Sequence, residues 1–340
     1  MRILHLLASP FFSGPAENVA LLALAQSQLG HEVRVAVDRK RHGLTAEEPI
    51  VPRLRALGLL DEGGLELSVK SSPLGLLGDL RRLRARSEQV LHAHFTHDHL
   101  LARWGRPPGS ILVRSLHAPR SLRRSLPRAD GYTVFTEAEH ARLQGQRVLH
   151  MSTLVAPGFV PPPDRESLRA SLGLRGGPLV GMVSTFQPSR RHALGVAAFA
   201  QLHREQPGAR LVLVGDGQLQ GEVRAQVAAA GLTQAVTFAG YQSGDAFVRW
   251  LQALDEVWLL GLGNDWSGRA AAQARACGVR VVAVAEGALP ALADAVVATL
   301  EPGAVLEASR AGGLALRPLR SNRETAEAVL ALDREAGARA

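Results

Sequence analysis

The chain has 340 residues, enough for two domains of ordinary size, and its 46% hydrophobic and 21% charged residues exclude a disordered polymer. One cysteine, Cys277, excludes a disulfide framework and a multi-cysteine zinc site. The net charge of +8 is uneven, with 21 basic residues against 14 acidic in residues 1 to 150 and 18 against 17 in the remaining 190.

The opening Arg2 to Ala8 is a short apolar run suited to a buried strand, too short for a signal peptide, and points to a cytoplasmic protein. Ser13-Gly14-Pro15 opens a helix through Gln28, and Gly30 closes it before a strand from Glu32 to Val37. Val90 to Phe95, Ile111 to Leu116 and Gly131 to Phe135 read as further strands, the last followed by a helix from about Thr136. Val160-Pro161-Pro162-Pro163 breaks this alternation as a semi-rigid linker. Beyond it come strands at Leu179 to Ser184, Arg210 to Val214, Val236 to Phe238, Glu256 to Leu260 and Arg280 to Ala283. Helices read at His192 to His203, Gln218 to Ala230, Ser267 to Ala276 and Asn322 to Ala336. Strands alternating with helices make parallel sheets covered on both faces. The expected class is α/β, in two Rossmann-like domains facing across a cleft. The expected divisions are 1–158, a proline-rich linker at 159–165, 166–320, and a C-terminal helix at 321–340 returning to the first domain.

Basic residues cluster at Arg81, Arg82, Arg84 and Arg86 and at Arg120, Arg123, Arg124 and Arg128. Such patches suit anionic lipid headgroups or phosphates. Aromatics are 4% and do not interleave with the basic residues, so base stacking has no platform and a nucleic-acid partner is not expected. Val214-Gly215-Asp216-Gly217 follows a strand and precedes a helix, but the next glycine, Gly221, is one residue late for a dinucleotide fingerprint, which leaves a tight turn. His92-Ala93-His94, with His97 and His99, is the densest histidine cluster. A metal site can be drawn there with Asp98, yet no spacing fixes the ligands, and a strand-end histidine offering a donor or acceptor is the better reading. His117 ends the next strand in the same way. Cys277 reads as a small buried hydrophobe. Arg190 and Arg191 between a strand and a helix suit a diphosphate.

In order and spacing these stretches resemble a GT-B glycosyltransferase of the retaining family four. The resemblance is carried by Ser13-Gly14-Pro15-Ala16-Glu17-Asn18, Leu29-Gly30-His31-Glu32-Val33, His92-Ala93-His94-Phe95, Arg210 to Gly217, Val236 to Tyr241 and Gly263 to Gly278. It implies metal-independent transfer of a sugar from a nucleotide-diphosphate sugar to a glycan or lipid-linked acceptor, with no cofactor. The Ser13 and Gly14 backbone would approach the diphosphate or acceptor, and His94, or His117, would contact the transferring sugar. Arg190, with Arg191 beside it, would neutralise the diphosphate, helped by Ser267 and Gly268 amides, while Phe238 to Tyr241 border the base. The family's two glutamates seven residues apart correspond to Asp265 and Gln273, and Gln273 loses a charge worth about 1 kcal/mol in its ribose bond. Thr185 replaces the family's arginine and Ala291 a frequent glutamate. These departures support an alternative, a non-catalytic GT-B relative that acts as a partner or glycan-binding subunit. The basic first half would rest on the inner face of an anionic membrane or hold a phosphorylated acceptor.

Overall fold

The computed structural model describes residues 1–39, 49–118, 121–122, 127–263, 266–313 and 318–338. The chain divides into unit 1, Met1–Leu154 with Leu319–Ala340, and unit 2, Val155–Pro318.

Unit 1 is built on a parallel sheet of β1 (Arg2–Leu7), β2 (Glu32–Val37), β3 (Val90–Ala93), β4 (Ile111–Ser115), β5 (Gly131–Val134) and β6 (Val148–His150). The strand order is β2-β1-β3-β4-β5-β6. Helices cover both faces, so the inner strands are apolar almost throughout rather than alternating with polar residues. Ile3, Leu7, Val90 and Val113 join one core layer, and Leu4, Leu6, Leu91 and Leu112 the other. His5 falls between Ile3 and Leu7 and pairs in register with His92. The helix Asn322–Gly337 belongs to unit 1 and packs on the helix Gly14–Gln28 and on β4, β5 and β6. Its start is a capping box in which Ser321 Oγ accepts from Glu324 N at 3.1 Å and the Glu324 carboxylate accepts from Ser321 N at 2.7 Å. A Cβ on Gly131 would stand 3.3 Å from Leu332 Cγ, so the glycine lets this helix lie close on the sheet.

Unit 2 has β7 (Leu179–Val183), β8 (Arg210–Val214), β9 (Val236–Gly240), β10 (Glu256–Leu259), β11 (Arg280–Val284) and β12 (Ala295–Val297) in the order β12-β11-β10-β7-β8-β9, again parallel. The expected α/β class is therefore observed as two parallel six-stranded sheets among the described residues.

Two differences from the sequence reading bear on function. The strand expected over Val90 to Phe95 stops at Ala93, because the chain turns at His94 into a helix, Thr96–Gly105. The helix Pro73–Arg84 was not expected: its Leu74, Leu76 and Leu77 point to solvent, so its sequence shows no inward apolar stripe. Val160 to Pro163 forms neither helix nor strand.

Candidate functional site

In an open parallel sheet, ligand groups collect at the carboxyl ends of the strands where the order of connection reverses. In unit 2 that reversal lies between β7 and β10; in unit 1 it lies between β1 and β3. The loops leaving these four strands hold much of the chemistry.

After β7 the chain forms a single 3-10 turn, Pro188–Arg190, then Arg191 in the left-handed region (φ 53°), and enters the helix His192–Glu205. The β8 exit is pressed against it. A Cβ on Gly215 (φ 134°) would sit 2.2 Å from the Ser184 carbonyl oxygen, and one on Gly217 (φ 146°) 2.8 Å from Phe186 N. Phe186 N donates to Asp216 O at 2.7 Å, so this glycine pair is a structural turn, as the spacing indicated. On the other side, Arg190 Nη1 donates to Gly261 O at 3.0 Å and its guanidinium lies along Gly263, where a Cβ would stand 2.7 Å from Nη2 and displace it. Arg191 is held differently. Its Nη1 donates to Leu260 O at 2.5 Å and pairs with Glu286 at 2.8 Å, while the second Glu286 oxygen accepts from Leu262 N at 2.9 Å. The sequence offered Arg191 as a diphosphate cation; its partner stands at the end of β11, a contact that no local spacing announces.

Gly268 (φ 70°) precedes the helix Arg269–Ala276, so the helix begins two residues later than expected. Ser267, ahead of the helix, and Gln273, within it, are buried. Thr185 and Ala291 are exposed. Asp265 lies outside the described residues. The Phe186 ring stacks on His192 (4.1 Å) and on Phe238 (6.3 Å), and Arg224 covers the Phe238 ring at 3.9 Å. Tyr241 is exposed. A cavity of about 350 Å³ opens between the β7 exit and the helix Gln220–Ala229, lined by Gln187, Arg191, His192, Leu219, Glu222 and Gln226. Burial holds His192 down to about 4, with Arg190 acting in the same direction. Cys277 is fully buried and burial pushes its thiol up to about 11.

In unit 1, Ser13 precedes the helix Gly14–Gln28, which follows β1 in the chain. His94 is 1% and His117 3% exposed, and they belong to a cluster with His5 and His92. The His5, His92 and His94 rings stack with centroids 4.6 to 5.3 Å apart and planes 14 to 25° from parallel. His5 Nδ1 lies 3.0 Å from His94 Nε2, and His94 Nδ1 lies 3.3 Å from His117 Nε2. His5 Nε2 meets Gln26 Oε1 at 2.8 Å, and His92 Nε2 meets Ser115 Oγ at 2.8 Å. Burial drives His5 down to about 4 and His92 and His94 well below their usual value, so the stack is neutral at pH 7. Nitrogens of His5, His92 and His94 lie within 4.8 Å of one another, as a metal cluster would require. His5 Nδ1 and His94 Nε2, however, are hydrogen-bonded to each other, and His5 Nε2 and His92 Nε2 are taken up by Gln26 and Ser115. The arrangement suits a hydrogen-bonded chain better than a chelate.

Asp98 ties the β1 and β3 exits together. Fully buried, it accepts from Phe95 N (2.7 Å), His94 N (3.2 Å) and Ala8 N (3.4 Å), and lies 3.6 Å from Arg114. Burial pushes its carboxyl up to about 6, against the pull of Arg114, and brings Arg114 down to about 10. Arg114 donates to the Phe95 carbonyl. His99 is turned away to the Pro127 carbonyl, 2.8 Å from its Nε2. His5, Gln26 and Arg114 were missed by the sequence reading. The one available signal was register, since residue 5 of β1 lies opposite residue 92.

Residues 164–315 match the family described as glycosyl transferases group 1. This match lies within unit 2. Stretches of the chain align with curated relatives. A stretch of 149 residues is 36% identical to D-inositol 3-phosphate glycosyltransferase of Mycobacterium ulcerans, covering 42% of this chain and 31% of that protein. Another of 203 residues is 32% identical to 2-deoxystreptamine glucosyltransferase of Streptomyces kanamyceticus, covering 55% and 51%. The chain thus spans only 31% and 51% of these relatives' length. The chain is similar in structure to Anabaena HepE, solved with UDP and glucose, at a TM-score of 0.68 and 18% identity, covering 100% of this chain and 95% of that one. The fold is GT-B. Among the described residues no helix is long and apolar enough to cross a membrane.

Proposed function

We propose that the protein is a retaining, metal-independent glycosyltransferase that moves a sugar from a nucleoside diphosphate to a glycan or lipid-linked acceptor, acting at the cytoplasmic face of a membrane. The supporting observation is the placement of Arg190 along the β10 exit at the strand reversal of the group 1 transferase domain. Transfer breaks the bond between the anomeric carbon and the diphosphate oxygen and forms one to the acceptor oxygen on the same face, releasing the acceptor proton. Negative charge grows on the leaving diphosphate, and a fixed cation with backbone amides near Gly268 stabilises it. His117, two residues beyond β4, is assigned to the sugar, with His94 behind it. The donor base is assigned to the Phe238–Tyr241 segment and the ribose to Gln273. A UDP-sugar donor agrees with the Anabaena HepE complex.

The pairing of Arg191 with Glu286, and the neutral Thr185, favour the alternative of a non-catalytic relative that binds a partner or a glycan. Thermal shift with UDP, GDP, ADP and CDP and their sugars separates the two. A bound donor at a hundred times its dissociation constant stabilises by about 2.7 kcal/mol. Arg190→Ala is expected to weaken nucleotide affinity about tenfold or more, since it removes a charge-assisted contact. Absence of stabilisation by every nucleotide decides for the non-catalytic reading.

The membrane contact is assigned to the helix Pro73–Arg84 and its neighbour Thr96–Gly105. Leu74 is 80%, Val69 62% and Trp104 68% exposed, beside exposed Lys70, Arg81, Arg82, Arg84 and Arg103. Exposed tryptophan and leucine with arginines suit the interface of an anionic bilayer. Arg86 drops out of the basic patch, because it pairs with Asp61 at 2.7 Å and Glu88 at 2.8 Å. Arg120, Arg123 and Arg124 lie outside the described residues. The protein is expected to co-sediment with phosphatidylglycerol vesicles and not with phosphatidylcholine ones, and Leu74→Ser with Trp104→Ala is expected to release it. Equal binding to both vesicles, or an unaffected double variant, rejects this face.

A further inference from the structure

The buried histidines form a directional chain. Its far end is Gln26, fully buried on the helix Gly14–Gln28, whose Oε1 faces His5 Nε2 at 2.8 Å. An amide oxygen can only accept, so His5 carries its proton on Nε2 and, being neutral, offers a lone pair at Nδ1. His94 Nε2, 3.0 Å away, must then donate. His94 Nδ1 therefore accepts from His117 Nε2, at 3.3 Å. His117 thus carries a proton on Nε2.

We infer that Gln26, His5 and His94 are positioning residues that set, through this imidazole chain, which nitrogen of His117 carries the proton. The chain runs from the middle of β1 and the last turn of its helix to the β4 exit, joining the strand reversal of unit 1 to the candidate sugar-contacting histidine. Two observations support transmission rather than packing alone. Every ring in the chain is buried, so no bulk water competes for its nitrogens. His92, stacked in the same cluster at 4.6 Å from His94, is bonded to Ser115 instead and stands outside the chain. His92 is thus an internal control: it shares the burial and the stacking but not the hydrogen bonds that carry the order.

The catalytic consequence rests on the proposed role of His117 toward the sugar. With the chain intact, His117 donates from Nε2 to His94 Nδ1, and this bond fixes the orientation of its ring. Reversal of the Gln26 amide would reverse each tautomer in turn and make Nδ1 a donor.

The test is ¹⁵N-histidine NMR on the full chain at pH 7, where two-bond proton–nitrogen correlations show which nitrogen of each ring is protonated. The wild type is expected to show Nε2–H at His5, His94 and His117. Gln26→Leu is expected to give mixed tautomers along the chain while leaving His92 unchanged. Gln26→Glu, which still accepts at the same place, is expected to restore the Nε2–H pattern and to raise the pH at which His5 takes up a second proton. Nδ1–H in the wild-type chain, or an unchanged His117 in a folded Gln26→Leu protein, overturns the inference. Should Gln26→Leu fail to fold, an unmoved His5 titration in Gln26→Glu overturns it equally. Where transfer is measurable, Gln26→Leu is expected to lower kcat about tenfold with little change in KM for the donor. A changed tautomer with an unchanged kcat removes His117 from the reaction and leaves the chain standing, so the two readings fail separately.

Discussion

Asp333→Asn is expected to raise the melting temperature of unit 1 at pH 8 by roughly 10 °C. Asp333 is fully buried on the helix Asn322–Gly337, and neither carboxylate oxygen has a hydrogen-bond partner among the described residues. Burial pushes its carboxyl from 3.8 up to about 7, with Arg334 pulling weakly the other way. An acid whose folded value is raised holds its proton longer in the folded state. Its cost is absent below about 3.8, grows as pH rises toward 7, and is complete at pH 8. A rise of about three pH units is on the order of 4 kcal/mol. Asparagine has nearly the same shape and no charge to desolvate, so it removes that cost. In a melt at pH 4 the gain should vanish, because Asp333 is then protonated in the folded protein. A gain of equal size at both pH values would assign the effect to packing and reject the buried charge.

How much of this was legible in the sequence depends on how far apart the interacting residues stand. β1, the helix Gly14–Gln28 and β2 were readable, because a continuous apolar run, Ser13-Gly14-Pro15 and Gly30 each carry a local backbone meaning. β8 matched to the residue, since Gly215 ends it with a backbone angle other residues avoid. The helix Pro73–Arg84 was hidden by its own leucines, which face solvent and break the inward pattern. His94 and His117 were visible as strand-end histidines. Their partners were not: His5 is one polar residue in an apolar strand, Gln26 one in an alanine- and leucine-rich helix, and neither has a spacing that signals anything. Only pairing of β1 with β3 places His5 opposite His92, and only packing of the helix on that face brings Gln26 to His5. Arg191 illustrates the same limit in reverse. Its position in a loop before a helix suggested a phosphate ligand, while Glu286, 95 residues on, claims its guanidinium.

Unit 1 is also expected to lose stability steeply as pH falls from about 6.5 to about 4. His5 and His99 are each brought down to about 4, and His92 and His94 well below 6.5, in every case first by burial. For a base with a lowered folded value the unfolded chain takes up the proton first, so stability is full above 6.5 and falls away below it. Asp98 and Asp333, raised to about 6 and about 7, act in the opposite sense, since the folded state takes up those protons first. Glu139, also raised by burial, works with them. Four histidines against the two large carboxyl shifts leave an excess of about two protons bound by the unfolded state, or about 3 kcal/mol per pH unit; Glu139 trims it, and His31 and His97, also lowered first by burial, add to it. Over two pH units that approaches the whole stability of an ordinary domain. Urea titrations at pH 7, 6 and 5 measure the slope directly. His92→Gln keeps a neutral group toward Ser115 and leaves the Gln26–His5–His94–His117 chain in place, so it should lower the slope by about one proton, about 1.4 kcal/mol per pH unit. A midpoint that does not move between pH 7 and pH 5 would mean that these imidazoles are charged or hydrated in the folded protein. That result would remove the neutral stack on which the tautomer order depends.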